Sequence, residues 1–213
     1  MKYLLFLGSS LLLASPAHAQ LGWRVGGNLL RIGSDSLTTS SRVGYQVGVF
    51  YQVPLTERLS LVPEVQLSRE RVHVRSGESS SVQLAYQLGF YYLNLPVLAR
   101  LALGPVYLEA GPQLSWLVGG RGEGDVTYRG TVTGRIDQAA TERYRRFDAG
   151  ACLGIGVKLP ANFGLSVRAY QGLGSMLRQD TYPYPDAAIP YAGSGSQHRQ
   201  TLQASLTYQL AAH

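Results

Sequence analysis

Apolar and small polar residues alternate along several stretches of this chain. Between residues 43 and 53, every odd-numbered position is Val or Tyr, and the even-numbered positions are Gly, Gln or Phe. A repeat of two places the two sets on opposite faces of a β-strand. Eight stretches follow the pattern, which predicts an all-β chain. Their predicted bounds are 22–30, 43–53, 59–70, 87–103, 106–118, 146–159, 163–175 and 200–210.

The connections between these strands alternate between long and short. Short turns are predicted at 54–57, 104–105 and 160–162, where Pro, Gly or Asn occurs. Long polar connections cover 31–42, 71–86, 119–145 and 176–199. With an even number of strands, all long connections lie at one end, and the short turns lie with both termini at the other. Bacterial outer-membrane barrels have this asymmetry.

Two kinds of barrel share this alternation and differ in which face meets the surroundings. A soluble barrel keeps its apolar set inside, so its outer wall should carry many Lys and Glu side chains. Here the polar set is mainly Gly, Ser, Gln and Thr, and Lys158 is the only lysine after Lys2. We therefore predict an eight-stranded, up-and-down, antiparallel transmembrane β-barrel. Aromatic residues near strand ends suit the girdles of such a barrel: Tyr51, Tyr91, Trp116, Phe147, Phe163 and Tyr208.

The first 19 residues have the features of a secretory signal peptide, with Lys2, a short apolar run and Ala17-His18-Ala19. Cleavage after Ala19 would leave residues 20–213 as one barrel domain. No later stretch is long and apolar enough for a transmembrane helix, so a membrane-embedded chain has to close as a barrel. The net charge of +6 suggests nucleic acid in other settings, but an exported barrel is not expected to bind it.

If the apolar face meets lipid, seven charged residues point into the barrel: Arg24, Glu64, Arg100, Glu109, Asp148, Lys158 and Arg168. Buried charges need partners because desolvating a lone charge is very costly. Arg100 and Glu109 are each four residues from the Gly104-Pro105 turn, so we predict that they pair, with Glu64 and Arg168 nearby. Carboxylates beside bases also suit acid–base catalysis. We favour a salt-bridge network that plugs the lumen, because an eight-stranded barrel is only wide enough for its own side chains.

Three prolines, Pro63, Pro96 and Pro112, fall inside predicted strands. Proline removes a hydrogen-bond donor from the ladder and is normally found at edges or bulges. Since a closed barrel has no edges, we expect bulges or local irregularity at these positions.

Several of these strands resemble a known family. The segments 61–68 (LVPEVQLS), 92–100 (YLNLPVLAR) and 107–112 (YLEAGP), together with the opening 23–29 (WRVGGNL), are similar to recurrent strand motifs of the PorT-type outer-membrane β-barrel family, common in Bacteroidetes. The resemblance extends from about residue 22 to 210. It implies an eight-stranded outer-membrane barrel with in-strand prolines and no defined catalytic residues. The family name comes from a member linked to protein secretion. Many outer-membrane barrels end on an aromatic residue of the last strand, whereas this chain has Tyr208 and continues to His213.

The sequence offers little catalytic chemistry. His73, His198 and His213 are scattered and show no metal-ligand spacing, so neither a metal nor a cofactor is expected. Function is expected in the long loops. The third loop carries Arg121, Arg129, Arg143 and Arg145 among acidic residues, and the fourth carries Tyr182, Tyr184 and Tyr191. The arginines suit lipopolysaccharide phosphates or an ordinary solvated surface, and the tyrosines suit recognition or local loop packing.

These observations support a leading hypothesis and two alternatives. The leading hypothesis is a non-enzymatic outer-membrane barrel with structural or surface-binding duties and a plugged interior. The alternatives are a small porin-like channel or component of a transport or secretion system, and an outer-membrane lipid-modifying enzyme. The expected partners are outer-membrane lipid and lipopolysaccharide, the barrel assembly machinery, and an unidentified extracellular ligand or secretion partner.

Overall fold

The computed structural model describes residues 20–33, 38–76, 82–128, 131–139, 144–176 and 198–210. The predicted signal peptide, residues 1–19, lies outside them. Within these ranges the chain forms nine strands: β1 (Gln20–Gly33), β2 (Thr38–Pro54), β3 (Leu59–Ser76), β4 (Val82–Leu103), β5 (Val106–Tyr128), β6 (Thr131–Ala139), β7 (Phe147–Lys158), β8 (Phe163–Ser175) and β9 (His198–Gln209). Across the same residues, no helix has the length and apolar character needed to cross a membrane.

Eight of these strands close into a ring. All pairings are antiparallel, and the ring runs β1, β2, β3, β4, β5, β7, β8, β9 and back to β1. Each strand pairs with the next strand of the ring along the chain, which is the up-and-down order. Closure gives every wall strand a hydrogen-bonded neighbour on both sides, as a bilayer requires. The predicted eight-stranded antiparallel barrel is confirmed.

The prediction for the third long connection is wrong, because residues 119–145 are not all loop. β5 continues to Tyr128, and β6 pairs with it to form a hairpin that extends beyond the ring. β3 and β4 also extend past their predicted ends, to Ser76 and from Val82. Above the bilayer both faces of a strand meet water. The apolar alternation therefore stops there, although backbone pairing continues.

The wall is apolar outside and polar inside. Trp23, Val65 and Leu206 on the outer face are 52%, 48% and 41% exposed, whereas inward residues such as Gln66 and Gln203 are buried. Two aromatic groups flank the apolar band. The first, toward the short turns, contains Trp23, Tyr51, Phe163 and Tyr208; the second, toward the long connections, contains Tyr45, Tyr91, Trp116 and Phe147. This arrangement matches the girdles of a membrane barrel.

The in-strand prolines cause the expected local irregularity but no bulge. The register of β3 with β4 is the same at Pro63↔Val97 as at Gln66↔Asn94, although the residues between them are unpaired in this ladder. The register of β4 with β5 is likewise unchanged beyond Pro96. The proline positions therefore interrupt hydrogen bonding locally without adding a residue. Register shifts occur elsewhere, at Arg42/Tyr45, Tyr91/Tyr92, Val126/Thr127 and Gln171/Ser175.

Adjacent glycines on β1 provide a test of which face points inward. A Cβ at Gly26 would meet the Ala204 carbonyl and lie 2.8 Å from Ser205 Cα, whereas a Cβ at Gly27 would have no heavy atom nearer than 3.7 Å. Gly26→Ala should therefore lower the free energy of unfolding by about 1–3 kcal/mol through overpacking, and Gly27→Ala should be nearly neutral. Urea unfolding of the lipid-reconstituted barrel measures both. A larger loss for Gly27→Ala would contradict the assigned faces.

Candidate functional site

The lower part of the lumen contains a continuous chain of ion pairs. Glu64 Oε1 lies 3.0 Å from Arg24 Nε, and Glu64 Oε2 lies 2.8 Å from Arg168 Nη1. Glu109 Oε2 lies 2.7 Å from Arg168 Nε, and its Oε1 lies 2.7 Å from Arg100 Nη2. All five residues are buried. Each carboxylate therefore serves two arginines, and the order of the network is Arg24, Glu64, Arg168, Glu109, Arg100.

Some of the other polar atoms of this network also form hydrogen bonds, whereas Arg24 Nη2 and Arg168 Nη2 are buried without one among the described residues. Arg24 Nη1 donates a hydrogen bond to Ser166 Oγ at 2.7 Å, and Arg100 Nη1 donates to Gln52 Oε1 at 2.7 Å. The Arg100 guanidinium lies over the Tyr107 ring at 4.4 Å. Phe50 is buried between Arg24 and Arg100, with its ring centre 5.9 and 5.6 Å from the two guanidinium carbons. Cation–π contacts thus add to the ion pairs.

A layer of amides and hydroxyls lies above the first network. Asn94 Nδ2 donates to Ser68 Oγ at 2.9 Å, while Ser115 Oγ donates to Asn94 Oδ1 at 2.8 Å. The Cys152 thiol donates to Gln113 Oε1 at 3.1 Å. These side chains are buried and connect β3, β4, β5 and β7 through the lumen. Cys152 therefore acts as a small packing and hydrogen-bonding group in the wall.

A second charged cluster lies toward the long connections. Arg199 Nε donates to Glu70 Oε2 at 2.9 Å, and Arg199 Nη2 bonds to the second oxygen of the same carboxylate. The Arg199 guanidinium lies between two aromatic rings, 3.9 Å from the centre of Tyr92 and 4.9 Å from that of Tyr170. Asp148 accepts a hydrogen bond from the Tyr170 hydroxyl at 2.7 Å. Its Oδ2 is 3.8 Å from Arg199 Nη1.

Apolar side chains fill the lumen beside and above this cluster. Phe90 and Tyr144 pack edge to face with ring centres 4.8 Å apart. Other buried apolar side chains at this level are Leu30, Val72, Leu88, Leu117 and Met176. Together with the layers below, they occupy the interior with the barrel's own side chains.

The structure places the predicted interior residues in three locations. Arg24, Glu64, Arg100, Glu109 and Arg168 form the lower network. Asp148 lies instead in the upper cluster with Arg199. The assignment of Lys158 is wrong, because Lys158 is the last residue of β7 and is exposed. At the strand end the long side chain reaches water, where its charge is hydrated.

Two interior residues, Glu70 and Arg199, were not among those predicted. Both were detectable in principle. Glu70 shares the numbering parity of Glu64 on the same strand, and Arg199 shares that of Thr201 and Gln203. The predicted strand ends at Glu70 and Gln200 placed them at or beyond the wall boundary. The strands continue further than the apolar pattern does, so both side chains are buried inside.

The predicted loop residues are only partly described. Arg121 is 64% exposed on its side chain and forms a bidentate ion pair with Asp137 across the β5–β6 hairpin, at 2.6 and 2.5 Å. Its Nε is also 3.4 Å from Glu123, so local carboxylates already compensate its charge. Arg145 is exposed just before β7. Arg129, Arg143, Tyr182, Tyr184 and Tyr191 lie outside the residues that can be described.

The two described histidines, His73 and His198, lie on strands that are not neighbours. His73 lies on β3 and His198 on β9, and β1 and β2 separate these strands. Within the described part of the chain, no group of three His, Cys, Asp or Glu side chains is arranged to hold a metal ion.

A closed wall, an apolar outer face and a polar, charge-paired lumen define an outer-membrane β-barrel protein. The family model of the outer membrane protein beta-barrel domain matches residues 15–178. The chain belongs to this family, and its location is the bacterial outer membrane. A comparison with curated protein sequences finds no significant match.

Several solved structures are distantly similar. Ail, the attachment invasion locus protein of Yersinia pestis, aligns over 91% of this chain and 99% of its own, with 11% identity and a TM-score of 0.49. Neisserial surface protein A aligns over 90% and 97%, with 12% identity and a TM-score of 0.47. The outer membrane protein OprG of Pseudomonas aeruginosa aligns over 91% and 95%, with 9% identity and a TM-score of 0.41.

Glu64 provides a direct test of the lower network. Glu64→Gln removes the charge shared by Arg24 and Arg168 and leaves both guanidinium groups undercompensated in the lumen. Loss of one partner from a buried ion pair costs about 3–5 kcal/mol, and we expect a decrease of that size in the free energy of unfolding. Urea unfolding in lipid measures it. Glu57→Gln, in the exposed turn before β3, is the matched control and should change stability by less than about 0.5 kcal/mol. Equal effects would contradict the network's role.

Proposed function

We propose that this outer-membrane barrel is a non-enzymatic, surface-binding protein. The wall and its filled lumen form a rigid base, and the contacts are made by the β5–β6 hairpin and the neighbouring connections. The observation that carries the proposal is the lumen, in which two charged clusters, an amide layer and apolar side chains are buried against one another. Such an interior supports a scaffold better than a conduit.

The hairpin has the features of a presented surface. It extends beyond the ring, and its Val132 is 63% exposed. The Arg121–Asp137 ion pair connects its two strands near the base. A paired hairpin costs less ordering entropy on binding than an irregular loop of the same length. The partner is proposed to be a component outside the cell or a neighbouring surface protein. Lipopolysaccharide around the barrel and the barrel assembly machinery that inserts it are also part of this proposal.

The finer family assignment belongs to the same proposal. The strand motifs at 61–68, 92–100 and 107–112 support membership of the PorT-type group. A role in secretion would then be carried by contacts of the hairpin or the short turns with other proteins, since the lumen is occupied.

Shortening the hairpin tests the binding role. Glu123 and Asp137 are directly paired, so deleting residues 124–136 and joining these two through two glycines gives a short turn of a favoured length. Cells that produce this variant should lose at least about tenfold in adhesion or in binding of the purified barrel to glycan and extracellular-protein arrays, which corresponds to about 1.4 kcal/mol. Heat-modifiable gel mobility should remain unchanged as a control for folding. Undiminished binding by the shortened barrel would contradict the assignment to the hairpin.

Conductance separates the scaffold from the channel alternative. The intact barrel, reconstituted in a planar bilayer, should give no steady single-channel current, because an eight-stranded barrel is only wide enough for its own side chains. An open porin measured in the same bilayer is the positive control. Steady currents from the purified barrel would overturn the plugged-lumen part of the proposal and favour a transport role.

A further inference from the structure

Four arginines lie on the outer wall near the long connections, and we call them the arginine belt: Arg31 on β1, Arg42 on β2, and Arg69 and Arg71 on β3. Arg31 and Arg42 are exposed, and Arg69 and Arg71 are half-buried. On β3, Arg69 and Arg71 alternate with the buried, inward residues Glu70 and Val72. The belt therefore faces away from the lumen.

The belt lies at the level of the second aromatic group. Arg69 is paired in register with Tyr45 on one side and Tyr91 on the other, and its guanidinium lies 5.3 Å from the centre of the Tyr91 ring. Tyrosines of this kind mark the interface between the hydrocarbon core and the headgroups. The arginine side chains therefore meet the headgroup region of the outer leaflet.

Within the described ranges, the positive charge of the belt has no acidic partner. Arg42 and Arg71 are directly opposite each other on β2 and β3, and such a like-charge pair is destabilising unless an anion lies between them. The acidic residues of the β3 wall, Glu64 and Glu70, point inward to Arg168 and Arg199. Among the described residues, no carboxylate forms an ion pair with the belt. The buried Nε atoms of Arg69 and Arg71 have no hydrogen-bond partner there either.

An apolar groove begins beside the belt. The groove has a volume of about 620 Å³ and crosses β1, β9, β8 and β7 on the outer wall. Arg31 is at one end, and the lining includes Leu29, Ala151, Leu153, Ala169 and Leu202. Leu153 and Leu202 are 66% and 49% exposed. The two alanines form a depression between Leu153 and Leu202, and Gln171 and Gln200 line the end of the groove next to Arg31.

We propose that the arginine belt binds the phosphate groups of the phosphorylated, multiply acylated lipid of the outer leaflet, the lipid A part of lipopolysaccharide, with one acyl chain in the groove. Guanidinium groups bind phosphate bidentately, and an anion between Arg42 and Arg71 converts repulsion into a shared contact. The occupant is a lipid because the site faces the bilayer and joins a cationic headgroup region to an apolar groove. This inference rests on the outer-membrane location and not on the hairpin's binding role.

Lipid titration of the intact barrel tests the proposal. The barrel, in a neutral detergent, is titrated with lipid A, with dephosphorylated lipid A and with inorganic phosphate, and bound lipid is followed by native mass spectrometry. Lipid A should bind best. Each arginine removed should weaken binding about fivefold, so Arg42→Gln with Arg71→Gln should weaken it about 25-fold. Arg58→Gln, at the exposed short turn on the opposite end, is the control and should have no effect.

The arms of this titration distinguish the possible occupants. Dephosphorylated lipid A binding as tightly as lipid A would overturn the phosphate contact. Inorganic phosphate displacing lipid A at equal concentration would show a free-anion site instead of a lipid site. A loss of lipid A binding in Arg58→Gln as large as that in the double variant would show that binding depends on total charge and not on the belt. Ala169→Phe should weaken lipid A binding by filling the groove. Leu165 is exposed on the same strand outside the groove, so Leu165→Phe should leave lipid A binding unchanged. Equal effects of the two substitutions would show that the groove is not part of the site.

The effect of Arg42→Gln on thermal stability should differ between samples without and with lipid A. Without anionic lipid, Arg42→Gln removes one member of a repulsive pair, so the temperature of the heat-modifiable mobility change should stay the same or rise. With lipid A present, the same variant should unfold at a lower temperature than the unsubstituted barrel, because it loses a phosphate contact. A decrease of equal size in both conditions would show that Arg42 has only a structural role, and the proposal would fail.

Discussion

The packing of the lumen depends on the two ion pairs of the Arg168 guanidinium. A cation buried inside a barrel must be compensated, and Arg168 is compensated by two carboxylates at once, Glu64 and Glu109. In the eight-stranded ring, β8 and β3 are four strands apart in either direction. The Arg168–Glu64 pair therefore crosses the lumen between opposite walls. The other members of the network extend it to β1 and β4, so five strands are connected by one set of charges.

The two faces of the wall follow from opposite requirements. Outside, apolar side chains such as Trp23, Val65 and Leu206 face the bilayer, where they need no polar partner. Inside, the carboxylates of Glu64, Glu70 and Glu109 are stable because each has an arginine partner at short range. The upper cluster compensates Arg199 in a similar way, with the carboxylates of Glu70 and Asp148 and with two aromatic rings. Arg42 and Arg71, which form no ion pair with another described residue, lie on the outer wall near the second aromatic group.

The sequence predicts the part of the fold that the bilayer constrains. Within the membrane each outward position must be apolar, so alternation reveals the strands, and equal distance from the Gly104–Pro105 turn places Arg100 opposite Glu109. Beyond the bilayer that constraint ends, which is why β6, Glu70 and Arg199 were not predicted. Lys158 shows the complementary error, because parity does not indicate where a strand leaves the wall. Proline chemistry predicts a lost hydrogen bond at Pro63 but not whether the register shifts.

The span of the lower network also bears on how such a barrel can evolve. The diameter of a barrel increases with its strand number. In this chain, two additional strands would separate β8 from β3 and draw Arg168 away from Glu64. Duplication of a hairpin would thus leave buried charges without partners unless the interior side chains changed at the same time. The side chains of the lumen therefore fit a ring of eight strands, whereas the segments outside the ring carry none of these cross-lumen pairs.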